Sequence, residues 1–403
     1  MPPWLELPVL SHSLEFVPEH DAAFFAAVPA APAVFLLRSG DPQAEPYVSK
    51  TSNLKRRLTR LLSAPEEGAR RLNLRDRVRH VEYALTGSDF ESGLLLYQTL
   101  RQVFPQSYRD RLRLRFAPLV KFNLDNPWPR AYVTQRITGL RGDSVYYGPF
   151  PTRSAAEKFL SDALDLFKIR RCDFEIHPDP AYPGCIYSEM KMCLAPCFAG
   201  CTEEQYRDEV GRVRAFLDSG GQSLLRELEE QRERASADLQ FEQAAALHAR
   251  IEKITAATRL PEIVRALDRL TGVVVQPSAG SGAVTLFRFS GGVLAEPDLF
   301  PVQQAEGKPQ SMESRVQEAL AANTPGARST AIEIMENLAI LKRWYYRSLK
   351  AGEIFFADDQ GDLPLRRLVR GISRVFRGEK AESDAMTTTA REYWLARTRD
   401  LSS

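Results

Sequence analysis

All five cysteines of the 403-residue chain fall in one window, between Cys172 and Cys201. A secreted protein usually spreads its cysteines as staples, whereas a cluster in a reducing compartment points to metal or redox chemistry. The spacing is Cys172-x12-Cys185-x7-Cys193-x3-Cys197, with Cys201 a further x3 away. Four thiolates suit an iron–sulfur cluster or a closed zinc site. Zinc commonly takes two short Cys pairs, each gripping from a tight turn; here only one short pair serves, and two cysteines reach in from longer loops. A larger cubane accepts such dispersed corners. The spacing therefore leans towards a 4Fe-4S cluster on Cys172, Cys185, Cys193 and Cys197, with zinc as the alternative and Cys201 spare. Pro183-Gly184 and Pro196 would turn the loops over such a site. Buried free thiols are the bland alternative.

The formal charge of +2 conceals an uneven distribution of 54 basic and 52 acidic residues. From Lys55 to Arg79 there are nine Lys/Arg against three acids, and from Arg101 to Lys121 six against one, while Leu224–Glu242 is net acidic. A basic front and an acidic middle fit an anionic partner at one end and a protein partner elsewhere. The start, MPPWLELPVLSHSLEF, has no basic leader, and the longest apolar run, Ala22 to Leu37, is broken by Pro29 and Pro32. A membrane span needs about 20 apolar residues. The expectation is a cytoplasmic protein with no membrane partner.

The pattern predicts an α/β multidomain chain. Residues 1–31 read as an N-terminal extension and 32–121 as a small α/β unit. Ala33–Arg38 and Pro46–Val48 read as strands around a Gly40-Asp-Pro42 turn, then Asn53–Leu62 as a basic helix with Leu54, Leu58 and Leu61 on one face. Another helix is expected over Ser92–Val103. Arg111-Leu-Arg-Leu-Arg-Phe116 alternates strictly, so a strand would put Arg111, Arg113 and Arg115 on one face, either as a solvated edge or as phosphate contacts. A cysteine-rich unit spans 122–221, with a helix from Ser154 to Phe167 and Ser154 as its N-cap. Residues 222–258 are almost free of breakers and amphipathic in two halves, which suggests a helical hairpin. Within 259–403, Thr271–Val302 reads as a small β element and the rest from about Met312 as mostly helical. The run Trp344-Tyr345-Tyr346, on a helix expected over Ala331–Leu349, reads as packing. Asp358, Asp359 and Asp362 read as surface, and the five arginines of Leu365–Arg377 as either DNA contacts or a solvated face.

The window RRCDFEIHPDPAYPGCIYSEMKMCLAPCFAGC, with Pro127-Trp-Pro-Arg-Ala-Tyr-Val-Thr134 and Tyr147-Gly-Pro-Phe150 before it, resembles the cysteine-rich region of UvrC, the nuclease subunit of bacterial excision repair. That resemblance associates the four cysteines with an iron–sulfur cluster. Residues 224–256 are similar to the UVR motif through which UvrC docks on UvrB, with Leu228, Leu239, Phe241, Ala244, Ala245, Leu247 and Ile251 as the apolar core. Phe241, Ala245 and Leu247 are the expected partner-binding residues. Residues 32–62 resemble a GIY-YIG nuclease core.

Such a core implies a tyrosine acting as general base or relay, a carboxylate holding a divalent metal and an arginine for the developing charge. Tyr47, Lys50 and Arg57 stand at the family's spacing, but Phe35 replaces a tyrosine, Ser49 a glycine and Leu61 another tyrosine. The frame anchored at Ser88-Asp-Phe-Glu91, Pro105 and Pro118 puts Leu96 at the metal-binding glutamate and Tyr108 at an asparagine. Leucine offers no oxygen to a hard cation. The resemblance thus implies a degenerate GIY-YIG-like domain, with Mg2+ required only if the nuclease is active. Lys55, Arg56, Arg111, Arg113 and Arg115 are candidate DNA contacts.

Full-length UvrC is expected to continue into an RNase H-like nuclease and helix-hairpin-helix motifs. Thr271–Val302 resembles the lead-in, and no such motif is read after Met312. The leading expectation is a divergent UvrC-like or Cho-like protein of nucleotide excision repair that binds damaged duplex and UvrB without cutting. One rival is an active UvrC-type or Cho-type endonuclease whose metal site is rewired through Asp89 or Glu91, residues that serve equally as helix-start charges. A third reading is a zinc-stapled protein adaptor with no nucleic-acid role.

Overall fold

The computed structural model describes residues 10–41, 43–65, 72–138, 143–257, 260–303, 310–322, 329–348 and 350–379. Residues 1–9, Pro42 and Leu349, on which the leader, turn and last-helix expectations partly rest, lie outside them. In chain order the first unit comprises β1 (His12–Glu15), α1 (Asp21–Ala27), β2 (Ala33–Ser39), β3 (Tyr47–Thr51), α2 (Leu54–Leu62), β4 (Val78–Leu85), α3 (Asp89–Val103) and α4 (Tyr108–Leu112). Its antiparallel sheet has the order β1-β4-β2-β3. β2 is apolar without alternation because both its faces are covered. Phe35 and Leu37 join the core beneath α2, and Val34 and Leu36 join the core beneath α3. Asn53 caps α2 by accepting from Arg56 N at 2.9 Å, and Leu54, Leu58 and Leu61 are buried as expected.

The expected arginine strand over 111–116 is not formed. Tyr108 and Leu112 stand one helical turn apart and both pack on the core: α4 runs through Arg111 and ends with Arg113 in the left-handed region at φ 49°. Leu112 and Leu114 both pack on the core, while Arg111, Arg113 and Arg115 are exposed.

The second unit contains β5 (Leu119–Asn123), β6 (Arg130–Thr134), β7 (Val145–Gly148), α5 (Arg153–Leu164), α6 (Ile186–Glu189) and α7 (Glu203–Asp218). β5 starts ahead of the expected boundary at 121/122. The cap of α5 is Thr152, accepting from Ala155 N at 3.1 Å, and not Ser154, which lies inside the first turn of the helix. The hairpin follows as α8 (Gln222–Ala237) and α9 (Phe241–Ala257), and β8 (Arg265–Ala266) then returns to pair with β7, giving the sheet order β6-β5-β7-β8. The root of the hairpin is anchored: Leu224, Leu228, Ile251 and Ile254 share a core with Phe122, Phe159 and Phe216. Its tip is not. Leu239 and Phe241, expected inside, are 70% and 66% exposed, and Ala245 is exposed too.

The third unit is β9 (Gly272–Pro277), β10 (Ala283–Ser290), β11 (Val293–Leu294), β12 (Asp298–Pro301), α10 (Met312–Ala322), α11 (Ala331–Tyr345), β13 (Glu353–Phe356) and α12 (Leu365–Arg377). The strands order as β11-β10-β9-β13, with β12 also on β10. The region after Met312 is therefore not a separate helical tail, since β13 completes the sheet. Val273, Val275 and Leu286 face Leu368 and Ile372 of α12, while Val274, Phe287 and Phe289 face the core that holds α11. That core extends to α3, where Phe90 lies 5.0 Å from Phe287 and 5.3 Å from Trp344 between ring centroids. Trp344 and Tyr345 are buried, as the packing reading expected. Among the described residues no helix is long and apolar enough to cross a membrane.

Candidate functional site

Alternation along β3 divides the residues that resemble a nuclease remnant. Tyr47, Ser49 and Thr51 turn to the α2 side, and Val48 and Lys50 to the α3 side. On the first side Arg57 Nη2 donates to Tyr47 Oη at 2.9 Å, and Phe35 stands 6.1 Å from the Tyr47 ring. On the second, Lys50 Nζ lies 2.6 Å from Asp89 Oδ1. The structure thus pairs Tyr47 with Arg57 and gives Lys50 a different partner. Lys55 and Arg56 sit on the outer part of α2, Arg56 exposed.

Asp89 opens α3, and its second carboxylate oxygen accepts from Arg347 Nη1, just beyond the end of α11. Together these groups border a cavity of about 110 Å³ whose lining also includes Leu96, Arg111 and Arg343. Arg111 is held by Glu45 at 2.8 Å and lies 3.8 Å over the Phe104 ring. Partial burial raises the Asp89 carboxyl, but the Lys50 hydrogen bond and the charges of Lys50, Arg347 and Arg343 outweigh it and leave it below the usual carboxylate range. Leu96, at the expected metal-ligand position, presents hydrocarbon to this cavity. Glu91 is committed elsewhere: it accepts from Gly87 N at 2.7 Å, while Ser88 Oγ accepts from Glu91 N at 3.1 Å. Burial pushes the Glu91 carboxyl up, with the Gly87 bond opposing. It is a helix-start residue. Asp89 is a counter-ion.

The residues that sequence reasoning missed come from α11. Glu336 is 1% exposed and accepts from Tyr97 Oη at 2.9 Å, Tyr108 Oη at 2.8 Å and Arg109 Nε at 2.9 Å. This clasp seats α11 against α3 and α4, and the chain just beyond it then delivers Arg343 and Arg347 to the cavity. A charged residue inside the run Ala331-Ile-Glu-Ile-Met-Glu-Asn-Leu-Ala339 was the available signal, because carboxylates are almost never fully buried unless paired.

The cysteine window has little regular structure beyond α6 and a single 3-10 turn over Pro196–Phe198. Arg170, 2% exposed, donates to Trp128 O at 2.7 Å and Phe174 O at 2.6 Å, and its Nη1 lies 3.9 Å from Cys172 Sγ. Cys193 Sγ accepts from Ala195 N at 3.3 Å, and Cys185 heads α6 as its N-cap. Burial pushes the Cys193 thiol up to about 11, and the charges of Cys172, Cys185 and Cys197 add to that shift. Those four thiols therefore lie within one another's electrostatic reach. Cys201 is raised by burial and by Cys197 alone. All five cysteines are free of disulfides, and among the described residues no three His, Cys, Asp or Glu side chains are gathered tightly enough to hold a metal ion.

Comparison with known proteins bears on the same segments. Residues 118–216 match the family model described as UvrC/Cho excinuclease, middle domain, and residues 222–256 match the UvrB/uvrC motif. UvrABC system protein C of Serratia proteamaculans (strain 568) is 29% identical over 282 residues, covering 69% of this chain and 45% of its own length. The protein of the same name from Pectobacterium atrosepticum is 28% identical over 282 residues, covering 70% and 45%. The chain spans about half the length of these curated relatives, 45% in each case. No solved structure matches it.

Proposed function

On the premise that the chain is UvrC-like, we propose that it is a cytoplasmic, DNA-binding protein of nucleotide excision repair whose GIY-YIG-like domain does not cut. The observation that carries this reading is the cavity between α3 and α11. Hydrolysis of a phosphodiester by this kind of centre needs oxygen ligands for a hard divalent cation. Here Leu96 supplies none, and the carboxylate of Asp89 is already engaged by Lys50 and Arg347 with Arg343 and Arg111 beside it. An arriving Mg2+ would meet an excess of positive charge. Glu91, the other acid a rewired site could use, is occupied at the start of α3. Incubation of damaged duplex with the protein and Mg2+ or Mn2+ is expected to leave both strands whole. Incision that disappears in Tyr47→Phe or Glu91→Ala would overturn the reading.

The cysteine set fits a 4Fe-4S cluster held by Cys172, Cys185, Cys193 and Cys197. The support is the spacing, with two of the four cysteines reaching in from longer loops, and the electrostatic reach of these thiols on one another. The Arg170 and Ala195 N–H groups aimed at sulfur would favour an anionic ligand set. When bound, a cluster of this kind supplies a rigid cross-link and a one-electron redox centre.

The hairpin is the partner-docking element of the proposal, with a UvrB-type protein as the partner. Its exposed Leu239 and Phe241 form an apolar tip on a rooted helical pair, with Ala245 and the partly buried Leu247 one turn on. Phe241→Ser is expected to shift stability by less than about 0.5 kcal/mol, as for other exposed positions. It should weaken binding to UvrB at least about tenfold, the loss of a buried aromatic anchor. Titration calorimetry measures the second quantity; equal affinity of variant and parent would remove the tip from the interface.

A further inference from the structure

We propose that the cavity between α3 and α11 is a phosphate-binding site for a nucleic-acid strand, and that Asp89 occupies it as a displaceable internal anion. This deepens the DNA-binding reading above and rests on it. Three features point the same way. First, Lys50, Arg343 and Arg347 converge on one small opening from two distant parts of the chain, with Arg111 at its rim. Second, charge is in excess there. Of the acids placed against these cations, Asp89 answers Lys50 and Arg347, Glu45 answers Arg111, and Arg343 is exposed with no ion-pair partner among the described residues. Third, the floor is apolar, formed by Leu96, Ile340 and Trp344. Such a floor lowers the local dielectric and strengthens each charge contact. A volume of about 110 Å³ admits a tetrahedral phosphate group.

Asp89 is half-exposed at the first turn of the fifteen-residue α3, so its side chain can swing out into water. The helix N-terminus it leaves would then help receive an incoming phosphate. A phosphate oxygen replacing the Asp89 carboxylate would accept from the same Lys50 and Arg347 donors and gain Arg343 as a third. Because Asp89 titrates below the usual carboxylate range, it stays charged across neutral pH, and substitution is the way to remove its competition.

The test uses the full chain and fluorescein-labelled single strands bearing either a 5′-phosphate or a 5′-hydroxyl, read by anisotropy at low salt. Asp89→Asn is expected to tighten binding about three- to tenfold, since it deletes the competitor while the cations remain. Arg343→Ala and Arg343→Ala/Arg347→Ala are expected to weaken it, with the salt dependence flattening by about 0.7 in log–log slope for each phosphate no longer neutralised. If both strands respond alike, the site takes the backbone diester; if only the phosphorylated end responds, it takes a terminal monoester. Either result supports the site, and inorganic phosphate should compete in the second case. Unchanged or weaker binding in Asp89→Asn, together with indifference to both arginine changes in proteins of unaltered melting temperature, would overturn it. Incision activity tests the non-cleaving proposal separately, so each idea can fail without the other.

Discussion

Glu336→Ala is expected to lower the unfolding free energy by about 3–5 kcal/mol, the range seen when one partner of a buried charged network is removed. Residues Ile334, Met335, Leu338, Ile340 and Leu341 of α11 are buried, and Glu336 is buried among them. A carboxylate taken from water is tolerated there only because three donors meet it: two tyrosine hydroxyls and the Arg109 guanidinium. Removing it takes away the acceptor for the hydroxyl protons of Tyr97 and Tyr108, both buried residues, at about 1–3 kcal/mol each, while Arg101 and Arg109 still donate to those two oxygens. Arg109 is half-exposed and turns to water at little cost. Glu336→Gln keeps an acceptor and should recover roughly half of the loss, and Arg109→Ala should cost no more than about 1 kcal/mol. Urea melts would show the midpoint falling with an unchanged slope. A loss below about 1 kcal/mol in Glu336→Ala would mean that packing alone holds α11 on α3. The same substitution should weaken nucleic-acid binding without touching a phosphate, because the clasp seats the helix that presents Arg343.

How far the sequence reaches is set by the distance over which each interaction acts. The hairpin was legible because its signal is local: a breaker-free amphipathic run interrupted at Asp238–Gln240, where Leu239 takes a positive φ of 57°. What that pattern could not say is which apolar residues stay inside. Leu228 and Ile251 face the second unit, while Leu239 and Phe241 lie past its edge in solvent. The arginine strand failed for a physical reason of the opposite kind. Six alternating residues satisfy a strand, but Tyr108 and Leu112, one helical turn apart, both pack on the core as part of α4. The cleft was half legible. Lys50 and Leu96 came from the resemblance to a nuclease core, but Glu336 meets Tyr97 and Tyr108 across sequence separations of 239 and 228 residues, and Arg347 meets Asp89 across 258. No local pattern carries such pairings. They follow from the packing of α11 and α3 into one core with β9 and β10.

Anaerobic purification is expected to yield close to four iron and four acid-labile sulfide per chain, as the proposed cluster requires, with Cys193→Ser and Cys197→Ser losing most of both and Cys201→Ser retaining them. From Cys172 to Cys201 the backbone is tied by little more than the α6 turn, the short helix at Pro196 and isolated bonds such as Asp179 N to Cys197 O at 3.0 Å. Lys191, Ala195 and Ala199 hold positive φ values of 55–58° without glycine, a conformation that needs support from its surroundings. A bound cluster would cross-link these turns, and its binding energy would count as folding energy for the window. Loss of the cluster should therefore open residues 172–201 to protease while leaving α5 and α7, which share an apolar core of their own, in place. Cys201 separates the two classes of outcome, because it stands outside the proposed ligand set while its thiol is raised by burial and by Cys197. One zinc per chain with no sulfide would remove the cluster and return the site to the zinc alternative. Full resistance of the window to protease after Cys193→Ser would show that the turns hold themselves.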